Sequence, residues 1–133
     1  SHNSLIDIAR PYIQDLAEQT GETVHLVQME GINAVYIDKV EAPHNSVRMV
    51  SMVGKTIPLY CSGVGKAILA DMDNEEMEIG VRCIAVSLGC VHHKLPYAIS
   101  ISAPKDRMKD KQITQYKKLL LNTKKQLLAE LGQ

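Results

Sequence analysis

Two segments, TVHLVQM (23–29) and NAVYIDKV (33–40), alternate apolar and polar residues and flank EGIN (30–33), whose glycine and asparagine supply the unusual backbone angles of a tight connection. They predict a β-hairpin, and a hairpin alone is too small to be stable in water. A cover lies upstream. Leu5, Ile8, Ala9, Tyr12, Ile13, Leu16 and Ala17 recur at helical spacing behind an N-cap at Ser4, and Gly21 ends the run. Pro11 lies inside it; lacking an N–H and clashing with the preceding turn, it should kink the helix or start a second one. Ser1 and His2 have no evident role ahead of that start and read equally as an expression-tag remnant.

After the Pro-containing loop EAPHN, SVRMVSMV (46–53) reads as another strand that Gly54 ends. The chain then stays extended through Pro58 to Cys61 and turns helical after Ser62. VRCIAVSL (81–88) and YAISISA (97–103) are two further strands joined by GCVHHKLP. A closing helix runs from about Asp110 to Leu131, with Ile113, Tyr116, Leu120, Leu127 and Leu131 on one face and lysines crowding the other. With 133 residues, 45% of them hydrophobic, the chain can bury one core but hardly two. No repeat, low-complexity segment or linker interrupts it. The expected fold is a single α+β domain, residues 1–133, with an antiparallel-rich sheet and flanking helices.

Charge narrows the partners. Fifteen Lys and Arg balance fifteen Asp and Glu, so no general cationic field attracts nucleic acid or an anionic membrane. Three cysteines, Cys61, Cys83 and Cys90, form no CxxC pair and suit a reducing compartment. No window is long and apolar enough for a membrane span, and no signal-peptide pattern opens the chain. A soluble cytoplasmic protein is expected.

The lysine–glycine stretches fail the phosphate-loop pattern. Before Gly65-Lys66 the required first glycine would fall at Tyr60, and Ala67 stands where Ser or Thr is needed; before Gly54-Lys55 it would fall at Met49. A more general feature survives. Ser62 can cap a helix opening with Gly63-Val64-Gly65, whose unpaired N–H groups and dipole suit a carboxylate or phosphate. The same small residues equally serve a tight helix–sheet contact.

In YAISISA, Ser100 and Ser102 share one face, as do Val81 and Cys83 in VRCIAVSL. Facing inward, they would give a small pocket two hydroxyls, a thiol and an apolar wall; facing outward, the serines would be the wet side of a half-exposed strand. His92 and His93 are adjacent with no ligand spacing around them, so no metal and no cofactor is expected. The acidic run DNEEMEIG reads as a solvated face. No histidine stands in a nucleophilic constellation with Cys83 or Ser100, so catalysis is not expected. The rival enzyme reading makes Cys83 a nucleophile with fast alkylation at neutral pH. A pure assembly module is the other rival.

TGETVHLVQMEGINAVYIDKVEAP, VRMVSMVGKTIPLYCSGVGKAILA, EEMEIGVRCIAV and YAISISAPKDRM, in that order, resemble the C-terminal effector-binding domain of the isocitrate lyase regulator (IclR) family of bacterial transcription regulators. The resemblance covers about Leu5 to Leu131. It implies a GAF-like, profilin-like sensor fold. It also implies an N-terminal winged helix-turn-helix, absent here, that reads operator DNA, and dimers or tetramers formed through the sensor domains.

The resemblance further implies a site for a small carboxylate effector. Gly63 and Val64 would offer backbone N–H groups to the carboxylate; Asp73, Cys83, Ser100 and Ser102 would be polar contacts; Met49, Ile57 and Val81 would form the apolar wall. Ser46 stands at a pocket position often apolar in relatives, and the wall carries no Phe or Trp to stack an aromatic ring, which leans towards a sugar acid or another short hydroxy- or keto-acid. The sequence departs from the family pattern between Met72 and Asp73, where relatives carry a further helical segment of about three dozen residues. A deletion of that size would unroof the pocket. The expectation is that these residues exist in the molecule as a disordered segment, which predicts an intact mass several kilodaltons above 14.7 kDa.

Overall fold

The computed structural model describes residues 2–30, 33–41, 56–58, 73–75, 81–91 and 96–133. Their order is α1 (His2–Thr20), β1 (Thr23–Glu30), β2 (Asn33–Val40), β3 (Thr56–Pro58), β4 (Asp73–Glu75), β5 (Val81–Cys90), β6 (Pro96–Pro104) and α2 (Asp110–Glu130). The strands form one six-stranded sheet in the order β3-β2-β1-β6-β5-β4, with every neighbouring pair antiparallel. This is the expected α+β architecture, and the hairpin β1–β2 falls where the alternation put it.

Both helices cover one face of the sheet. Leu5, Ala9, Ile13, Leu16 and Ala17 of α1 and Ile113, Tyr116, Leu120 and Leu127 of α2 pack with Val24, Leu26, Ile84, Val86, Ile99 and Ile101 of the strands. The helical stripes are thus the two read from spacing, since positions three and four apart lie on one side of a helix. Gly21, at φ +70°, ends α1 by giving its N–H to the Ala17 carbonyl at 2.8 Å, a left-handed cap that glycine adopts without strain.

Pro11 neither breaks α1 nor starts a new helix: one helix runs through it. The bond it forfeits is to the Asp7 carbonyl, and Asp7 and Pro11 both lie on the exposed side, where water takes the place of the missing N–H. The helix also begins at His2, ahead of the cap expected at Ser4.

Three polar clasps tie the helices to the sheet. Arg10 Nη1 donates to Asp38 Oδ1 at 2.7 Å and to the Lys39 carbonyl at 3.0 Å, fixing α1 to β2. Arg107, in the turn after β6, donates to both carboxylate oxygens of Glu22, in the turn before β1. Arg82 Nη1 donates to the Met108 carbonyl at 3.0 Å, holding the start of α2 against β5.

Candidate functional site

The sheet face turned away from the two helices carries a second buried cluster, Val27, Ala34, Tyr36, Cys83 and Ala98. The polar residues of interest lie on this face. Register makes the grouping: Ser102 stands between Thr23 of β1 and Cys83 of β5, and Ser100 between His25 and Ala85. Residues directly opposite in an antiparallel pair share a face, with Cβ atoms about 5 Å apart. Two hydroxyls, a thiol, a threonine and an imidazole therefore occupy two adjacent rows.

Ser100 and Ser102 do not face water. They are 0% and 3% exposed, and Cys83 is 0% exposed. The outward reading fails because it presumes a half-exposed strand. Strand β6 is central, and from Tyr97 to Ala103 every residue is buried, so its even-numbered and odd-numbered positions are both inside.

Among the described residues, the Ser100 Oγ has no hydrogen-bond partner although it is fully buried. A hydroxyl taken out of water without a partner costs free energy, so native structures nearly always satisfy such groups.

His25 was not singled out from sequence, yet it stands beside Ser100. Its ring is buried and stacks on Tyr36, with centroids 4.5 Å apart and planes inclined by 26°. Burial pushes its pKa down to about 4, the Lys39 ammonium adds to the depression, and the Glu41 carboxylate opposes it. The imidazole is therefore neutral at pH 7, with one nitrogen as donor and the other as acceptor. Lys39 is the β2 residue in register with His25, and its Nζ lies 2.6 Å from Glu41 Oε1.

The remaining expected site residues fall as follows. Ile57 lies in β3 opposite Ala34, and Val81 opens β5 opposite Pro104. Asp73 lies in β4 opposite Ile84; the β4 residue in register with Cys83 is Asn74. The acidic run thus begins as a short edge strand, a conformation that Asp and Asn disfavour and that pairing with β5 imposes. Met49, Gly63, Val64, the Ser62 helix start, Ser46, and His92 with His93 lie outside the described residues. Thr23, His25 and Tyr36 were missed. The available signal was parity, since Thr23 and His25 alternate with Val24 and Leu26.

Among the described residues no helix is long and apolar enough to cross a membrane. No three of their His, Cys, Asp and Glu side chains are grouped to hold a metal ion.

The family model described as the bacterial transcriptional regulator IclR C-terminal domain matches residues 1–74 and 71–129, two stretches that meet where the sequence departs from the family pattern. The DNA-binding transcriptional repressor YiaJ of Escherichia coli K12 is 29% identical over 173 residues, covering 97% of this chain and 61% of that protein. The transcriptional repressor IclR of the same organism is 25% identical over 173 residues, covering 97% and 63%. The chain thus spans about three-fifths of these relatives' length. An alignment of 173 positions against 133 residues leaves at least 40 positions without a counterpart here.

Among solved structures, the Thermotoga maritima IclR crystal structure superposes with a TM-score of 0.85 at 28% identity, covering 97% of this chain and 69% of that one. The relatives are named as regulators and repressors, which points to a regulatory protein and away from the thiol-enzyme reading of the buried Cys83. Helix stripes, sheet order and the family match agree, and the chain belongs to the IclR family of bacterial transcriptional regulators, as its C-terminal domain.

Proposed function

We propose that this domain senses a small carboxylate metabolite, a sugar acid or a short hydroxy- or keto-acid, and that binding controls operator recognition by the full-length regulator. The observation that carries the reading is the buried Ser100 Oγ, without a hydrogen-bond partner among the described residues and set in the same sheet face as Ser102 and Cys83. The effector carboxylate meets the backbone N–H groups of Gly63 and Val64, because a helix start offers unpaired donors and a positive dipole end. Ser100, Ser102 and Cys83 are the polar contacts, and Met49, Ile57 and Val81 the apolar wall; Asp73 leaves the contact set, because its register partner Ile84 belongs to the helix-covered face.

A ligand shifts a regulator only through its different affinity for two states. Here the effector orders the chain around Asp73 and changes how sensor domains pair in a homodimer or tetramer, which moves the DNA-reading heads. The two-part family match and the longer alignments support a segment between Met72 and Asp73 that completes the pocket. An intact mass several kilodaltons above 14.7 kDa is the check on that segment, and a mass near 14.7 kDa refutes it.

The test is a thermal-shift screen against sugar acids, keto-acids and aromatic acids. A ligand at a hundred times its Kd adds about 2.7 kcal/mol of stability, well above detection. A shift lost in the Ser100→Ala, Ser102→Ala double variant supports the reading. A folded protein that no acid shifts overturns it in favour of an assembly role. Gel filtration that shows only monomer at all concentrations defeats the pairing step.

A further inference from the structure

We propose that His25 is a specificity-determining residue of this site: together with Ser100 it reads a hydroxyl group of the effector, so that the domain prefers a hydroxylated acid to its deoxy counterpart. The proposal rests on the carboxylate-sensing reading above and adds to it a residue and a chemical preference.

Three observations place His25 there. It is directly opposite Ser100 across the β1–β6 pair, in the row next to Ser102 and Cys83. Its ring is held by the stack on Tyr36, so its edge is set before any ligand arrives. And its neighbour Ser100 holds a fully buried hydroxyl without a hydrogen-bond partner among the described residues.

The chemistry selects the ligand group. A carboxylate accepts hydrogen bonds and brings a charge, which a buried neutral imidazole does not balance; a cationic side chain would serve it better. An alcohol both donates and accepts. A neutral imidazole and a serine hydroxyl together offer donor and acceptor capacity on both sides of it, so each polar atom finds a partner. An acid without the hydroxyl leaves the Ser100 Oγ unsatisfied, and sites built to bond a hydroxyl reject analogues that lack it for that reason. The carboxylate is left to the backbone N–H groups, and the two ends of the effector are read by different chemistry.

The experiment uses matched acids: glycolate against acetate, lactate and glycerate against propionate, gluconate against hexanoate. Dissociation constants are measured for the wild type, for His25→Phe, which keeps a ring to stack on Tyr36, and for His25→Gln, which keeps a donor and an acceptor. In the wild type at least one hydroxylated acid binds about tenfold or more tighter than its partner, the size expected for hydrogen bonds made or left unmade. In His25→Phe that advantage collapses while the deoxy acid binds as before, and His25→Gln restores part of it.

A wild-type measurement guards against variants that fail to fold. With 15N-labelled histidine, the His25 ring signals move on adding the hydroxylated acid and stay in place with the deoxy acid. Hydroxylated acids that bind His25→Phe as tightly as the wild type, or ring signals indifferent to the hydroxyl, overturn the role of His25 and leave carboxylate sensing standing. Binding of no acid in either class defeats both.

Discussion

The Arg107 guanidinium closes on the Glu22 carboxylate with two parallel bonds, Nε to Oε2 at 2.9 Å and Nη2 to Oε1 at 2.8 Å, joining turns 85 residues apart. Glu22 is nearly fully buried, whereas Arg107 is partly in water. The residue after Glu22 is Thr23, which pairs with Ser102, so the clasp borders the hydroxyl row. Arg107→Ala leaves a buried carboxylate without its fork. We expect a loss of about 2 kcal/mol, below the range for a fully buried pair because half of this one is solvated. Arg107→Lys recovers only part, since an ammonium cannot match two carboxylate oxygens in a plane. Urea unfolding of the two variants measures this, and equal stability in all three proteins refutes it.

The buried His25 gives stability a pH dependence of known sign. In the unfolded chain it titrates near 6.5, and in the folded protein burial holds it near 4, with Lys39 lowering it further and Glu41 opposing. Between those values the unfolded chain keeps a proton that the folded one sheds, so unfolding becomes easier as pH falls. The contribution is fully present above about pH 6.5, drains away towards pH 4 and amounts to something on the order of 3 kcal/mol. Unfolding free energies of wild type and His25→Gln, taken from pH 4 to pH 8, isolate it, because the other groups titrate alike in both. Parallel curves refute it.

Legibility in the sequence followed how local each signal was. β1–β2, β5, β6 and both helices were visible because each carries its own periodicity, from the alternation of Thr23–Val40 to the stripe Ile113, Tyr116, Leu120, Leu127. Strand β4 was invisible, because Asp73–Glu75 is extended only through its pairing with β5. Parity put Ser100 and Ser102 on one face without saying which face is buried; that depends on β6 lying at the centre of the sheet. The neighbours Thr23 and His25 depend on the register between strands more than 70 residues apart, which no local pattern encodes.

Cysteine reactivity separates the sensing protein from a thiol enzyme. Cys83 is fully buried and Cys90 is exposed. A thiol must meet the reagent to react, and a fully buried one is reached only when the protein opens. Maleimide at neutral pH should therefore label Cys90 quickly and Cys83 only as fast as the protein opens, read by mass spectrometry of the separate peptides. Rapid labelling of Cys83 in the folded protein would revive the nucleophile.

Removing the Ser100 hydroxyl should help the empty protein and harm the bound one. An unpartnered buried hydroxyl costs its desolvation and returns nothing, so Ser100→Ala relieves the cost at almost unchanged shape. We expect the ligand-free variant to be more stable by about 1 kcal/mol, in contrast to most buried substitutions, which destabilise. With effector the sign reverses, because the wild-type hydroxyl then gains its bond and the alanine cannot. Melting temperatures of both proteins, with and without the acid found in the screen, test the two halves together. A Ser100→Ala protein less stable than wild type in the absence of ligand would mean that the hydroxyl is already satisfied, and the main support for a binding site on this face of the sheet would be gone.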